Sequence, residues 1–279
     1  MAIEQFKPTI WSDLVFKSYD KNFVFAALAN RDYEGAISNF GDQVKISEIG
    51  DISTSSYTGT VTYSDVDDAS KYLQINQQKY IGITIDDIDN AQTKPKLMSE
   101  ISRKIGVGFA DDVDSHLAGK YTDAGITSGT TGAPTAITSA NVTSQIRALG
   151  TNMSDNKVPN DRRVAVLPPW LVAKIDLAQI IRNTNNPFIL NNAYVGRFMG
   201  FDIFESQNIS HSGTTWYAPM FFRSNDTLAH AEQIKSMEAL KDKDSFADYM
   251  RGLMVYGSKV VRPDSLAVLY CSEGAESSI

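Results

Sequence analysis

From residue 54 to 85 polar and apolar side chains alternate in a way that predicts one extended hairpin. Thr60, Val61, Thr62 and Tyr63 alternate on one leg, and Leu73, Ile75, Ile81, Ile83 and Ile85 keep one parity on the other. A polar tip between them, residues 64–70, carries Asp65, Asp67 and Asp68. The second leg runs for about 15 residues where a strand usually has about 5 or 6. At about 3.3 Å per residue it reaches roughly 50 Å. A lone two-stranded ribbon is marginal in water, so the pattern predicts that it lies on other protein. Its middle, Gln74 to Lys79, is too polar for a core strand, which points to a second subunit. Ile75, Ile81 and Ile83 are the apolar side chains expected at that contact.

A long helix follows. Thr93, Lys94 and Pro95 supply a start signal, with proline tolerated in the first turn. Leu97, Ile101, Ile105, Phe109, Val113, Leu117 and Tyr121 then recur every fourth position. A step of four drifts by about 40° per repeat, so the stripe winds around the rod and meets several partners. Upstream, residues 11–29 read as an amphipathic helix, and a strand begins at Gly41. Downstream, residues 122–138 read as a Gly/Ser/Thr-rich loop. Residues 139–227 read as an α/β unit. It has a helix stopping at Gly150, an apolar strand at 162–167, a helix opened by Pro168 and Pro169, and strands near 200–204 and 216–222. Long strand patterns fill 228–262 and end at Pro263, and residues 265–270 form one more buried strand.

Composition narrows the function classes. A net charge of −7 excludes tight, sequence-independent DNA binding, which needs concentrated Lys and Arg. Cys271 is the single cysteine, which excludes an intrachain disulfide and a thiolate metal cage and suits a reducing cytoplasm. The N-terminus lacks signal-peptide blocks, and no apolar run reaches membrane length, so no membrane role is expected. His116, His211 and His230 are scattered and form no catalytic or zinc spacing; no catalytic residue, cofactor or metal site is assigned. Asp86, Asp87 and Asp89 lack the glycine turn and distal glutamate of a calcium loop, and so do the tip acids.

The order of parts, with several local phrases, carries a resemblance. Asn30 to Gly35 precedes Gly41 to Val44; Ile85 to Asp89 lies between ribbon and helix; Tyr256 to Asp264 comes near the end. This ordered set resembles the major capsid proteins of tailed bacteriophages, the Hong Kong 97-type α+β fold. The resemblance implies an N-terminal arm and helix over 1–40 and an extended hairpin loop over 41–90. A spine helix and connector would occupy 91–138, an axial domain 139–227, and peripheral-domain strands and tail 228–279.

It further implies a shell subunit that assembles into hexamers and pentamers of an icosahedral head around double-stranded DNA, in the host cytoplasm. A separate scaffolding protein, a portal and cementing proteins are the implied partners. Relatives that crosslink use a lysine on the loop, a part open to Lys71, and an asparagine in the peripheral domain. Residues 229–263 contain no asparagine, so closure is expected to be non-covalent. Charge complementarity pairs the acidic tip with Lys241, Lys243, Lys259 and Arg262 of a neighbour.

Two alternatives stand beside this. Encapsulin shells share the fold and enclose protein cargo. Thr127 to Pro134 is similar to the phosphate-gripping loop of acyl-adenylate-forming enzymes, but Thr135 stands where that family has lysine.

Overall fold

A computed structural model describes residues 23–33, 41–46, 70–86, 97–177, 194–241 and 247–275. In chain order the elements begin with α1 (Phe25–Leu28), β1 (Gln43–Ile46), β2 (Lys71–Gln74), β3 (Gln77–Asp86) and α2 (Leu97–Ala118). Then come β4 (Ile126–Ser128), β5 (Thr135–Ile137), α3 (Val142–Asp155), β6 (Arg163–Leu167), α4 (Pro169–Leu177), β7 (Tyr194–Phe198) and β8 (Phe201–Glu205). The chain closes with β9 (His211–Ser212), β10 (Trp216–Tyr217), β11 (Met220–Arg223), β12 (Leu228–Lys241), β13 (Ala247–Val260), β14 (Ala267–Leu269) and β15 (Cys271–Glu273).

The stripe expected on the long helix is the one α2 buries. Ile105, Phe109, Val113 and Leu117 are enclosed, while Ile101 and Tyr121 pack at the margins of the same core. One side of this core is the face of a six-stranded sheet ordered β4-β14-β11-β6-β8-β7, contributing Val164, Val166, Met220, Phe222 and Val268. The opposite face of that sheet supplies Ala165, Leu167, Ile203, Phe221 and Leu269 to a second core under α3 and α4. Every residue of β6 is therefore buried, and after Arg163 its sequence, Val164 to Leu167, runs apolar instead of alternating. Strands β4 and β14 come from outside 139–227, so that unit shares one sheet with residues on both sides of it.

Two expectations in this region are corrected. Residues 122–138 are not one loop: β4 and β5 lie within them, each pairing in parallel, with β14 and β15. The phosphate-loop look-alike is a tight turn between these strands. There Thr130 and Ala133 exchange backbone hydrogen bonds, and the Thr130 hydroxyl accepts from the Ala133 N–H. Gly150 does not stop α3. The helix runs on to Asp155 and ends with Lys157 in the left-handed region (φ 60°). The Val158 N–H bonds to the Met153 carbonyl and the Lys157 N–H to that of Ser154, the paired closure typical of a left-handed helix end.

The ribbon is the largest correction. Its second leg is two strands with different partners inside its own subunit. Strand β2 pairs antiparallel with β1, Leu73 opposite Val44. Strand β3 pairs antiparallel with β13 in a sheet ordered β12-β13-β3, Ile81 opposite Gly252 and Ile83 opposite Met250. Ile75 is wholly buried with Ile46, Leu73, Ala229, Ala231 and Val255. Ile81 and Ile83 pack on the α2 core. Within the subunit Ile75 is thus enclosed and Ile81 and Ile83 are half-buried, while the polar Gln74, Asn76 and Gln78 are exposed. Residues 54–69, with the tip acids, lie outside the described residues, as do residues 11–22 of the expected first helix.

The chain crosses β13 where β2 passes into β3, and it crosses at a glycine. A Cβ on Gly257 would sit 2.1 Å from the Gln74 carbonyl oxygen and 3.1 Å from the Ile75 Cα. Backbone, not a flexible side chain, blocks it. Gly257→Ala is expected to destabilise the subunit by at least about 2 kcal/mol, read as a lower denaturation midpoint in urea. A midpoint equal to wild type would show that the crossing segment can retreat freely.

Candidate subunit-contact surfaces

Strand β13 is central in its sheet, and its alternate side chains go to opposite sides. Met254 and Tyr256 enter the α2 core, whereas Val255 enters the small core under β1 and β2. Residues paired directly across antiparallel strands share a face. Lys79 and Ile81, which oppose Met254 and Gly252, therefore face α2, and Lys79 reaches Asp112 of that helix at 3.3 Å. The other parity faces away from α2. It comprises Tyr80 beside Leu253, Gly82 beside Arg251, and Thr84 beside Tyr249. Beneath Val255 this outward face is covered by the β1–β2 ribbon; two residues further along it is open. Tyr80 is 81% exposed and Tyr249 37%, and on the ribbon Tyr72 is 52% exposed.

The residues expected from sequence to make contacts are scattered differently. Lys71 begins β2, and its ammonium donates to the Val261 carbonyl, so it is tied to its own subunit and does not stand at a free tip. Arg262 bonds to Asp226 at 3.2 Å, and Asp226 also holds Arg223 at 2.9 Å. Lys259 is exposed on β13. Asp65, Asp67, Asp68 and Lys243 lie outside the described residues, and so does the side chain of Lys241. Tyr80 was missed, although its parity relative to Ile81 marks it as outward-facing once β3 is known to have only one buried face.

The first described segment, residues 23–33, is fastened to the same framework by polar groups that spacing did not single out. Asp114 is 1% exposed on the inner side of α2. Its carboxylate accepts the backbone N–H groups of Val24 at 2.7 Å, Phe25 at 3.1 Å and Ala26 at 3.2 Å. These are the donors a helix start leaves unpaired, here capped from another element. Arg31 reaches Glu232 at 2.5 Å, and Glu232 also engages the buried His230 ring at 3.0 Å. His116 packs edge-on against Tyr256, ring centres 5.4 Å apart.

Two of these groups have displaced pKa values. Burial pushes the Asp114 carboxyl up to about 6, against the pull of the three N–H donors and of His230. Burial pushes the His116 imidazole down to about 4, helped by the charges of Lys120 and His230.

Comparison with known proteins bears directly on a surface of this kind. A family model described as phage capsid protein matches residues 68–269. The chain belongs to the phage capsid protein family. A solved chain from Mycobacterium phage Che8 is similar at 27% identity and a TM-score of 0.72, covering 89% of this chain and 91% of that one. The capsid structure of Cyanophage P-SCSP1u is similar at 18% identity and TM-score 0.67, covering 91% and 89%. A virus-like particle from Pyrococcus furiosus, at 11% identity and TM-score 0.60, covers 95% and 99% and shares the fold. No curated protein sequence matches the chain.

This phage capsid protein is thus a structural shell subunit of the virion, with the Hong Kong 97-type α+β fold, and it self-assembles into capsomers. The encapsulin alternative is not favoured, because the family whose model matches is the phage one. Among the described residues no helix is long and apolar enough to cross a membrane.

The displaced pKa values give opposed pH dependences. His116 has a folded pKa below the ordinary value of about 6.5, so its contribution is complete above that pH and is lost as pH falls toward about 4. Asp114 has a folded pKa above the ordinary value of about 3.9, so its contribution is complete in acid and is lost as pH rises through about 6. Asp114→Asn should therefore steepen the loss of stability between pH 6.5 and 4, and His116→Gln should flatten or reverse it. Differences on the order of 2 kcal/mol are expected in the unfolding free energy from urea denaturation across that window. Three parallel curves would reject the assignment.

Proposed function

We propose that copies of this capsid protein form hexamers and pentamers of an icosahedral head enclosing double-stranded DNA. In this reading a neighbouring copy lies across the outward face of the long sheet, at Tyr80, Leu253, Arg251 and Tyr249. The observation that carries the contact is Tyr80, an aromatic side chain 81% exposed on a strand whose other face is packed. Covering such a side chain recovers apolar area at about 25 cal/mol per Å², and tyrosine is favoured at the centres of interfaces. A separate scaffolding protein, a portal and cementing proteins complete the proposed set of partners, with assembly in the host cytoplasm. The role is structural, and no reaction is assigned to the chain. The acidic balance of the chain, net charge −7, suits a container from which a genome must leave, since a strongly basic wall would hold DNA by counterion release.

Tyr80→Ser tests the contact without touching a core residue. Under conditions that give wild-type particles, the variant should keep its far-UV circular dichroism and leave most protein as free capsomers in electron micrographs and sedimentation. Normal yields of closed particles would sink the contact.

Of the described candidates, the acidic tip is proposed to meet Lys259 of the neighbour, because Lys259 is exposed on β13 while Arg262 is held by Asp226 within the subunit. Reversing Asp67 and Asp68 to lysine should lower particle yield severalfold, and adding Lys259→Glu should restore part of it. Unchanged yield after the first reversal would remove the pairing.

A further inference from the structure

The chain is acidic overall, yet one cleft has the opposite sign. It has a volume of about 560 Å³ and is formed by α3, the start of β6 and the β7–β8 turn. Arg147, Thr151 and Ser154 line one wall, Asn160 and Arg163 the floor, and Arg197 the far side. Among its described lining residues there is neither aspartate nor glutamate. In a chain with 33 acidic and 26 basic residues, three guanidiniums around such a cleft require an explanation.

The three arginines are held differently. Arg163 is 5% exposed and donates to neutral oxygens: the carbonyls of Pro159, Gly150 and Val158, and the Ser154 hydroxyl. The acid whose field it feels, Asp161, is itself bonded to Arg223 at 2.8 Å. Its positive charge is thus buried without a carboxylate partner, an arrangement that costs free energy unless something offsets it. Its position does a second thing. The C-terminal end of a helix carries partial negative charge that repels anions, and Arg163 covers carbonyls at that end of α3. Arg147 stands one turn before Thr151 on the same helix, and among the described residues no hydrogen bond or ion pair engages its guanidinium. Arg197, across the cleft, approaches Asp202 through Nε at 3.8 Å, longer than a hydrogen bond. Two planar donor forks are therefore available above a floor whose repulsion has been cancelled.

We propose that this cleft is a binding site for a small, multiply charged oxyanion carrying phosphate groups. Charge decides between phosphate and carboxylate: a carboxylate neutralises one of three guanidiniums, whereas a phosphate or pyrophosphate matches two or three. The fork geometry of Arg147 and Arg197 suits two oxygens of one phosphorus centre, and the hydroxyls and amide of Thr151, Ser154 and Asn160 supply neutral contacts. The site lies apart from the sheet face proposed for subunit contact and does not depend on that contact.

Inorganic pyrophosphate is the probe, titrated into the full chain by calorimetry at fixed ionic strength, with sodium acetate as the comparison anion. Saturable binding at one site per subunit is expected, with acetate far weaker. Arg147→Ala combined with Arg197→Ala should weaken pyrophosphate binding about tenfold or more, while Lys104→Ala, exposed on α2 and outside the cleft, should leave it unchanged. Arg163 is left in place because its donors close the end of α3. Circular dichroism and particle formation are recorded for each variant, so a failure of folding or of the shell reading shows separately. Absence of saturable binding, equal binding by the double variant, or equal loss in Lys104→Ala would each overturn the site.

Discussion

The packing of β13 on both faces is the constraint from which the rest of the subunit follows. Met254 and Tyr256 go to α2 and Val255 to the β1–β2 ribbon, so one 14-residue strand ties the long helix to that ribbon. Because successive side chains of a strand point to opposite sides, neither neighbour can be shifted by one residue without ejecting the other's apolar partners. Gly257 follows from this. The chain must pass from the ribbon side of β13 to its edge, and it does so against bare backbone. Gly41 and Asp42 close the same corner, exchanging backbone hydrogen bonds with Ile75 at 2.9 and 3.0 Å.

How much of this was legible depended on whether a pattern names a partner or only a face. The fourth-position stripe of α2 could be read directly, because burial of Ile105, Phe109, Val113 and Leu117 needs only that the rod have something beneath it. The solid apolar run of β6 signalled burial on both faces. Parity in the ribbon was legible too: Leu73, Ile75, Ile81 and Ile83 do face inward. Period two, however, says nothing about which strand lies alongside. At Asn76 the chain leaves β1 for β13, so a four-residue pairing and a ten-residue pairing share the parity of one long leg.

The helix end at Lys157 was hidden for a different reason. Glycine is the usual left-handed residue and Gly150 drew attention, yet Gly150 sits mid-helix against Phe201, where a Cβ would come within 3.2 Å of the ring. The anchorage at Asp114 left a faint trace: an acid between Ala110 and Ala118 on the buried side of α2. An ionisable residue at such a position needs buried donors, but the identity of those donors, the N–H groups of residues 24–26, depends on a contact 88 to 90 residues away in sequence.

For shell formation, the internal pairing of residues 70–86 changes where the driving force must come from. Had Ile75, Ile81 and Ile83 been exposed, each subunit would carry a wide apolar strip before assembly and would be prone to associate indiscriminately. With Ile75 enclosed and Ile81 and Ile83 half-buried, the exposed large apolar side chains among the described residues are Tyr72, Tyr80, Tyr249 and Met199. A contact built on them is weak for any one pair, but its groups are already in place, so little conformational entropy is lost when it forms. Weak, preformed contacts are also reversible, which lets a misplaced subunit leave, while closure of a shell multiplies each of them. The rigid base therefore serves assembly by limiting what the free subunit offers, and the strength of the container resides in the number of contacts it closes.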